Sequence, residues 1–122
     1  MVRGRVVIVD DDIAVLEELS TFLGGEGFEV ATARSGEEAS RVLREGSCQF
    51  LMVDAGSPGV GGEGFQALVR GLEPEPRLIA LVSPPSDENF ERAMLLGADA
   101  CLAKPVDEDA LRYTLRELLT GR

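Results

Sequence analysis

The chain has 122 residues, a length that suits one domain spanning 1–122 with a single core of its own. Its formal net charge of −10 sets the surface against a phosphate backbone, which argues against direct nucleic-acid binding. Hydrophobic residues make up 44% but fall in short runs, so the expectation is a soluble globular chain with no membrane span.

The first predicted strand, Arg5–Val9, begins almost at once, so no signal or transit peptide is expected. Asp10, Asp11 and Asp12 follow it. An amphipathic stretch over 13–23 then carries Val15, Leu16, Leu19, Phe22 and Leu23 on one face, and Gly24-Gly25 is expected to close that helix. The run 28–32 mixes Glu29 and Thr32 with apolar residues, the composition of an edge strand. Ser35-Gly36-Glu37-Glu38 opens a helix over 36–44 as a capping box, in which serine and glutamate satisfy each other's unpaired backbone donors.

A buried strand over 50–53 delivers Asp54, and a helix is predicted over 62–72. The Pro/Glu stretch 73–76 reads as a surface loop. Another buried strand covers 78–82, followed by a helix over 87–96 that Gly97 closes. The last strand, Ala100–Ala103, leads to Lys104-Pro105. Asp107 then caps a helix over 108–119 with an acidic first turn and an apolar face of Leu111, Leu115, Leu118 and Leu119. Cys48 and Cys101 lie in or beside apolar runs and read as small buried hydrophobes. With no histidine and no Cys-x-x-Cys, zinc and disulfide chemistry are not expected, and a reducing cytoplasm fits.

Five alternations of strand and helix imply an α/β, doubly wound (βα)5 fold of the flavodoxin-like kind. Its five-stranded parallel sheet takes the order 2-1-3-4-5, with the polar second strand at an edge. The aspartates after strand one, Asp54 after strand three and Lys104 after strand five then meet at the carboxyl edge, beside the switch point. Carboxylates and a backbone carbonyl suit Mg²⁺ there. A carboxylate can attack a phosphoryl group to form an acyl phosphate, with the Lys104 ammonium neutralising the transferring oxygens.

Simpler roles exist for each residue alone. Asp12 reads as the N-cap of the first helix, and Asp10 and Asp11 could be helix-start acids. Asp54 could begin a turn with Gly56 and Pro58, and Lys104 could be a solvated strand end. Asp99 reads as a loop cap, and Ser83 and Ser86 as turn or cap hydroxyls. What tells against all of these together is that the residues fall on one sheet edge.

The chain resembles, end to end, the receiver domain of two-component response regulators. The resemblance rests on Val9-Asp10-Asp11-Asp12, Asp54-x-x-x-Pro58-x-x-x-Gly62, Leu96-Gly97-Ala98-Asp99 and Lys104-Pro105. It implies that Asp54 accepts phosphate from the phosphohistidine of a histidine kinase or phosphotransfer protein, with a fused or separate output protein downstream. It implies Asp11 and Asp54 as side-chain ligands of Mg²⁺, Asp10 acting mainly through water, and Gly56 supplying its carbonyl. Lys104 would pair with the phosphoryl group, before a cis peptide to Pro105. No enzyme activity is implied beyond self-catalysed phosphorylation and slow dephosphorylation of Asp54.

Two positions depart from the family. Val82 stands where a threonine or serine is expected, with Ser83 one residue late, and Cys101 stands where an aromatic is usual. Pro84-Pro85 stiffens the next loop. These departures keep open a receiver-fold interaction module with little phosphorylation-driven switching. A phosphatase of the haloacid dehalogenase type, using Asp10 and Asp12, is a more distant alternative. Weak homodimerisation through the last two helices also stays open.

Overall fold

A computed structural model describes residues 3–120. Strands β1 (Arg5–Val9), β2 (Glu29–Ala33), β3 (Phe50–Asp54), β4 (Arg77–Val82) and β5 (Ala100–Ala103) alternate with helices α1 (Ile13–Gly25), α2 (Gly36–Glu45), α3 (Glu63–Arg70), α4 (Asp87–Leu95) and α5 (Glu108–Thr120). The sheet is parallel throughout and runs β2-β1-β3-β4-β5, the order expected from the sequence.

Side-chain alternation along the central strands splits the core into two apolar layers. Val7, Val9, Leu51 and Val53 face α2 and α3, meeting Leu43, Phe65 and Val69. Val6, Ile8, Phe50 and Met52 face α1 and α5, meeting Leu16, Leu19, Leu23, Leu111 and Leu115. Each fully buried Leu or Val contributes roughly 1.5–3 kcal/mol relative to an exposed one, so these layers dominate the folding energy. Helix α4 is held differently: its one buried residue is Ala93, packed on Ala80 and Val82.

Several boundaries differ from the sequence expectation for physical reasons. Gly24 and Gly25 are the last two helical residues of α1, not its left-handed stop, and Gly27 (φ 99°) takes that position beyond the Glu26 cap. The Gly27 N–H donates to the Gly24 carbonyl (3.1 Å) and the Phe28 N–H to that of Leu23 (3.0 Å), a Schellman closure. Phe28, its donor spent there, stays out of the ladder, so β2 begins at Glu29. At α2 the Ser35 hydroxyl does accept from the Glu38 N–H (3.1 Å), but the Glu38 carboxylate reaches back to Arg34 (3.0 Å), not Ser35. Gly62 is the N-cap of α3, not its first turn. As expected, Gly97 (φ 86°) closes α4, and Asp99 caps β4 by accepting from the Leu78 N–H at 2.8 Å. Among the described residues, no helix is long and apolar enough to cross a membrane.

Candidate functional site: an acidic cluster at the carboxyl edge of the sheet

Each residue of the cluster is delivered by a strand that its own backbone prolongs. The Asp10 N–H donates to the Ala33 carbonyl (3.0 Å), extending the β1–β2 ladder, and its side chain is 0% exposed. Asp54 is the last residue of β3, opposite Leu81. The Lys104 N–H donates to the Val82 carbonyl (2.9 Å), carrying β5 one residue further to the same edge.

The side chains meet there. Lys104 Nζ stands 2.6 Å from Asp54 Oδ2 and 2.6 Å from Asp10 Oδ2, bridging two strands. The Asp54 contact is an aligned hydrogen bond. The Asp10 contact is an equally short ion pair to a fully buried carboxylate oxygen. The remaining oxygens are claimed locally: Asp10 Oδ1 accepts from the Asp12 N–H (2.9 Å), and Asp54 Oδ1 from the Gly56 N–H (2.8 Å). Exposed Asp11 completes a triad with Asp10 and Asp54 in which one carboxylate oxygen from each lies within 4.8 Å of the others.

Burial pushes the Asp10 carboxyl up, and the pull of Lys104 only partly offsets it. Desolvation draws Lys104 down, but the two carboxylates outweigh it and hold the ammonium above its ordinary range. Three carboxylates against one ammonium leave a surplus of two negative charges at one point. A hard divalent cation with oxygen ligands matches that surplus and the three clustered carboxylates.

All the residues named for the site from sequence lie on this edge. Gly56 is placed against Asp54 through its amide, and a side chain there would come within 3.4 Å of Asp54 Oδ1. The Lys104–Pro105 peptide is cis, as the resemblance implied. Asp12 is the N-cap of α1, its Oδ1 accepting from the Ala14 N–H at 3.0 Å, as the sequence suggested. Ser86 caps α4.

The departures are structural as well. Val82 is 1% exposed and shares a small apolar cluster with Ala80, Ala93, Ala98 and Cys101, while Ser83 lies beyond β4 and is exposed. The sequence reading missed Ser57, whose buried hydroxyl has no hydrogen-bond partner. No local pattern distinguishes it from an ordinary turn serine.

Comparison with known proteins agrees with this fold. The family model described as "Response regulator receiver domain" matches residues 6–116. The chain is 34% identical over 116 residues to the transcriptional regulatory protein CpxR homolog of Haemophilus influenzae, covering 95% of this chain and 50% of that one. The chain spans half or less of the length of the curated relatives it matches first. The chemotaxis response regulator CheY4 of Vibrio cholerae superposes with a TM-score of 0.81 at 26% identity, covering 94% of this chain and 98% of that one. In a co-crystal structure with the histidine phosphotransfer signalling protein Ypd1, the Saccharomyces cerevisiae receiver domain of Ssk1 gives 0.80 at 25% identity, covering 93% and 87%. Fold, sheet-edge cluster and family match converge: the chain belongs to the response regulator receiver domains of two-component signalling.

Proposed function

We propose that Asp54 is the phosphoacceptor of this receiver domain and that Lys104 is its phosphoryl contact. The observation that carries the reading is the Lys104 bridge, 2.6 Å to Asp54 Oδ2 and 2.6 Å to Asp10 Oδ2, beside Asp11. Residues 1–122 are taken as one such unit, cytoplasmic, with no catalysis beyond its own acyl phosphate.

Asp54 Oδ2 attacks the phosphorus of a phosphohistidine. The new O–P bond forms as the N–P bond breaks, and its electron pair returns to the imidazole nitrogen. The Gly56 N–H fixes Asp54 through Oδ1, leaving Oδ2 to react. The Lys104 ammonium, now paired with that oxygen, moves its charge onto the phosphoryl oxygens as they arrive. Asp10, fully buried, holds Lys104 in place from the other side. Mg²⁺ fits the acidic triad: Asp11 and Asp54 side chains and the Gly56 carbonyl would hold it, with Asp10 through water, and it would neutralise the phosphoryl oxygens. The donor is a histidine kinase or a phosphotransfer protein, and the likeness to the Ssk1 receiver crystallised with Ypd1 supports that class of partner. The readout passes to a fused or separate output protein.

Incubation with acetyl phosphate and Mg²⁺, followed by intact-mass spectrometry, tests the assignment. One phosphoryl group is expected on the wild type, and none on Asp54→Asn or in the presence of chelator. Stoichiometric uptake by Asp54→Asn would remove the assignment.

A further inference from the structure

We propose that Gly36, on a different element from the cluster, is a positioning residue for it: the N-terminus of α2 seats the loop that brings Gly56 to Asp54. The seating can be traced from the backbone. After Asp54 the loop turns at once, the Ser57 N–H donating to the Asp54 carbonyl at 3.0 Å. Its far end is anchored by Val60, fully buried in the core layer beneath α2 and α3. Between these points the Pro58 carbonyl accepts from the Gly36 N–H at 2.7 Å.

That donor is one of the amides a helix leaves unsatisfied in its first turn, here spent on another element. Ser35 and Glu38 lock the same turn from the other side. Gly36 is buried, and the loop lies directly on it. A Cβ there would overlap the Gly59 carbonyl, with its carbon at 2.5 Å and the Val60 nitrogen at 3.0 Å. These are backbone atoms, which cannot swing aside as the end of a flexible side chain could. Gly36 has no left-handed φ of its own to justify it, and alanine is the better helix former. Close approach of the loop is therefore what requires glycine. The seat holds the segment whose Gly56 N–H fixes Asp54 Oδ1.

The consequence for phosphoryl uptake rests on the reading of Asp54 above; the seating itself does not. Amide hydrogen exchange read by NMR, without Mg²⁺, tests the seating directly. In Gly36→Ala the amides at 36 and 56 should exchange about tenfold faster or more, because the opening that exposes them is eased. Leu43→Ala, buried two turns along α2, destabilises the same helix while leaving the Gly36 seat itself unaltered and should leave Gly56 protected relative to global opening. Equal loss of Gly56 protection in both variants, or none in Gly36→Ala, overturns the proposal.

Should Gly36→Ala fail to fold, the wild type in low urea decides. Gly36 and Gly56 amides opening as one unit with one urea dependence supports the seat, and Gly56 opening alone overturns it. Acetyl phosphate uptake then separates the two readings. A seated loop in a wild type that takes up no phosphoryl group strikes the Asp54 assignment alone. With uptake intact, the Mg²⁺ concentration for half-maximal rate should rise about tenfold in Gly36→Ala and stay near wild type in Leu43→Ala.

Discussion

At the scale of single residues, the site holds more charge than the fold can use. Asp10 is fully buried, pushed up by that burial, and shares its ammonium with Asp54. Neutralising it removes a desolvated charge while leaving Lys104 its Asp54 partner. Asp10→Asn is accordingly predicted to raise the melting temperature of the metal-free chain, by an amount equivalent to about 1 kcal/mol. Differential scanning calorimetry in chelator checks this, and a lower melting temperature would mean that the Asp10–Lys104 pair is net stabilising. The site residues were legible in sequence because each follows a short apolar run, so strand geometry alone carries Asp10, Asp54 and Lys104 to one edge. Ser57 was not, because its burial depends on how the loop folds back, which no local pattern encodes.

Elements show where local signals mislead. Two adjacent glycines look like a helix stop, yet α1 continues through both, and Gly27 takes the left-handed turn. A Cβ at Gly24 would meet nothing within 4 Å. Gly24→Ala is predicted to stabilise the chain by roughly 0.5–1 kcal/mol and Gly27→Ala to destabilise it by about 1 kcal/mol. Urea denaturation of the two variants should show opposite shifts in midpoint. The end of α1 is also tied to α5, where the Arg112 guanidinium pairs with Glu26 at 3.2 Å and lies over Phe22.

The hydrogen bond from Arg112 holds the Glu26 carboxyl below its usual range. A depressed carboxyl contributes stability above its unfolded value and loses it as pH falls through the lower folded one. Glu26→Gln should therefore lower the melting temperature near neutral pH. That deficit should close as pH drops below about 4, toward the depressed value. A deficit independent of pH would place the effect in packing rather than charge. Element order could be read from the regular βα alternation; which glycine closes a helix could not, because backbone hydrogen bonding across the turn decides it.

For the whole molecule, the question is where a phosphoryl signal goes. The sheet brings the acceptor cluster together at its carboxyl edge, as the strand order requires. Beside it, Val82 and Cys101 close a small apolar cluster under α4, and Ser83, just past β4, is exposed. With no hydroxyl on Val82 to draw toward a phosphoryl group, beryllofluoride with Mg²⁺ is predicted to shift amides of the 55–62 loop strongly. Those on the outer face of α4, β5 and α5 should shift little. Heteronuclear NMR mapping checks this, and large shifts around Tyr113 and Met94 would show that the signal crosses the sheet by another route. The departures themselves were visible in sequence by counting back from Lys104, but their joint packing became evident only with α4 in place.

Everything turns on Asp54 as the acceptor, and reductive trapping reads that most directly. Borohydride converts an aspartyl phosphate to homoserine, so treatment after acetyl phosphate and Mg²⁺ marks the phosphorylated residue in a peptide mass map. The account predicts homoserine at position 54 and nowhere else. Homoserine at Asp10, Asp11 or Asp12, with Asp54 unchanged, would contradict it.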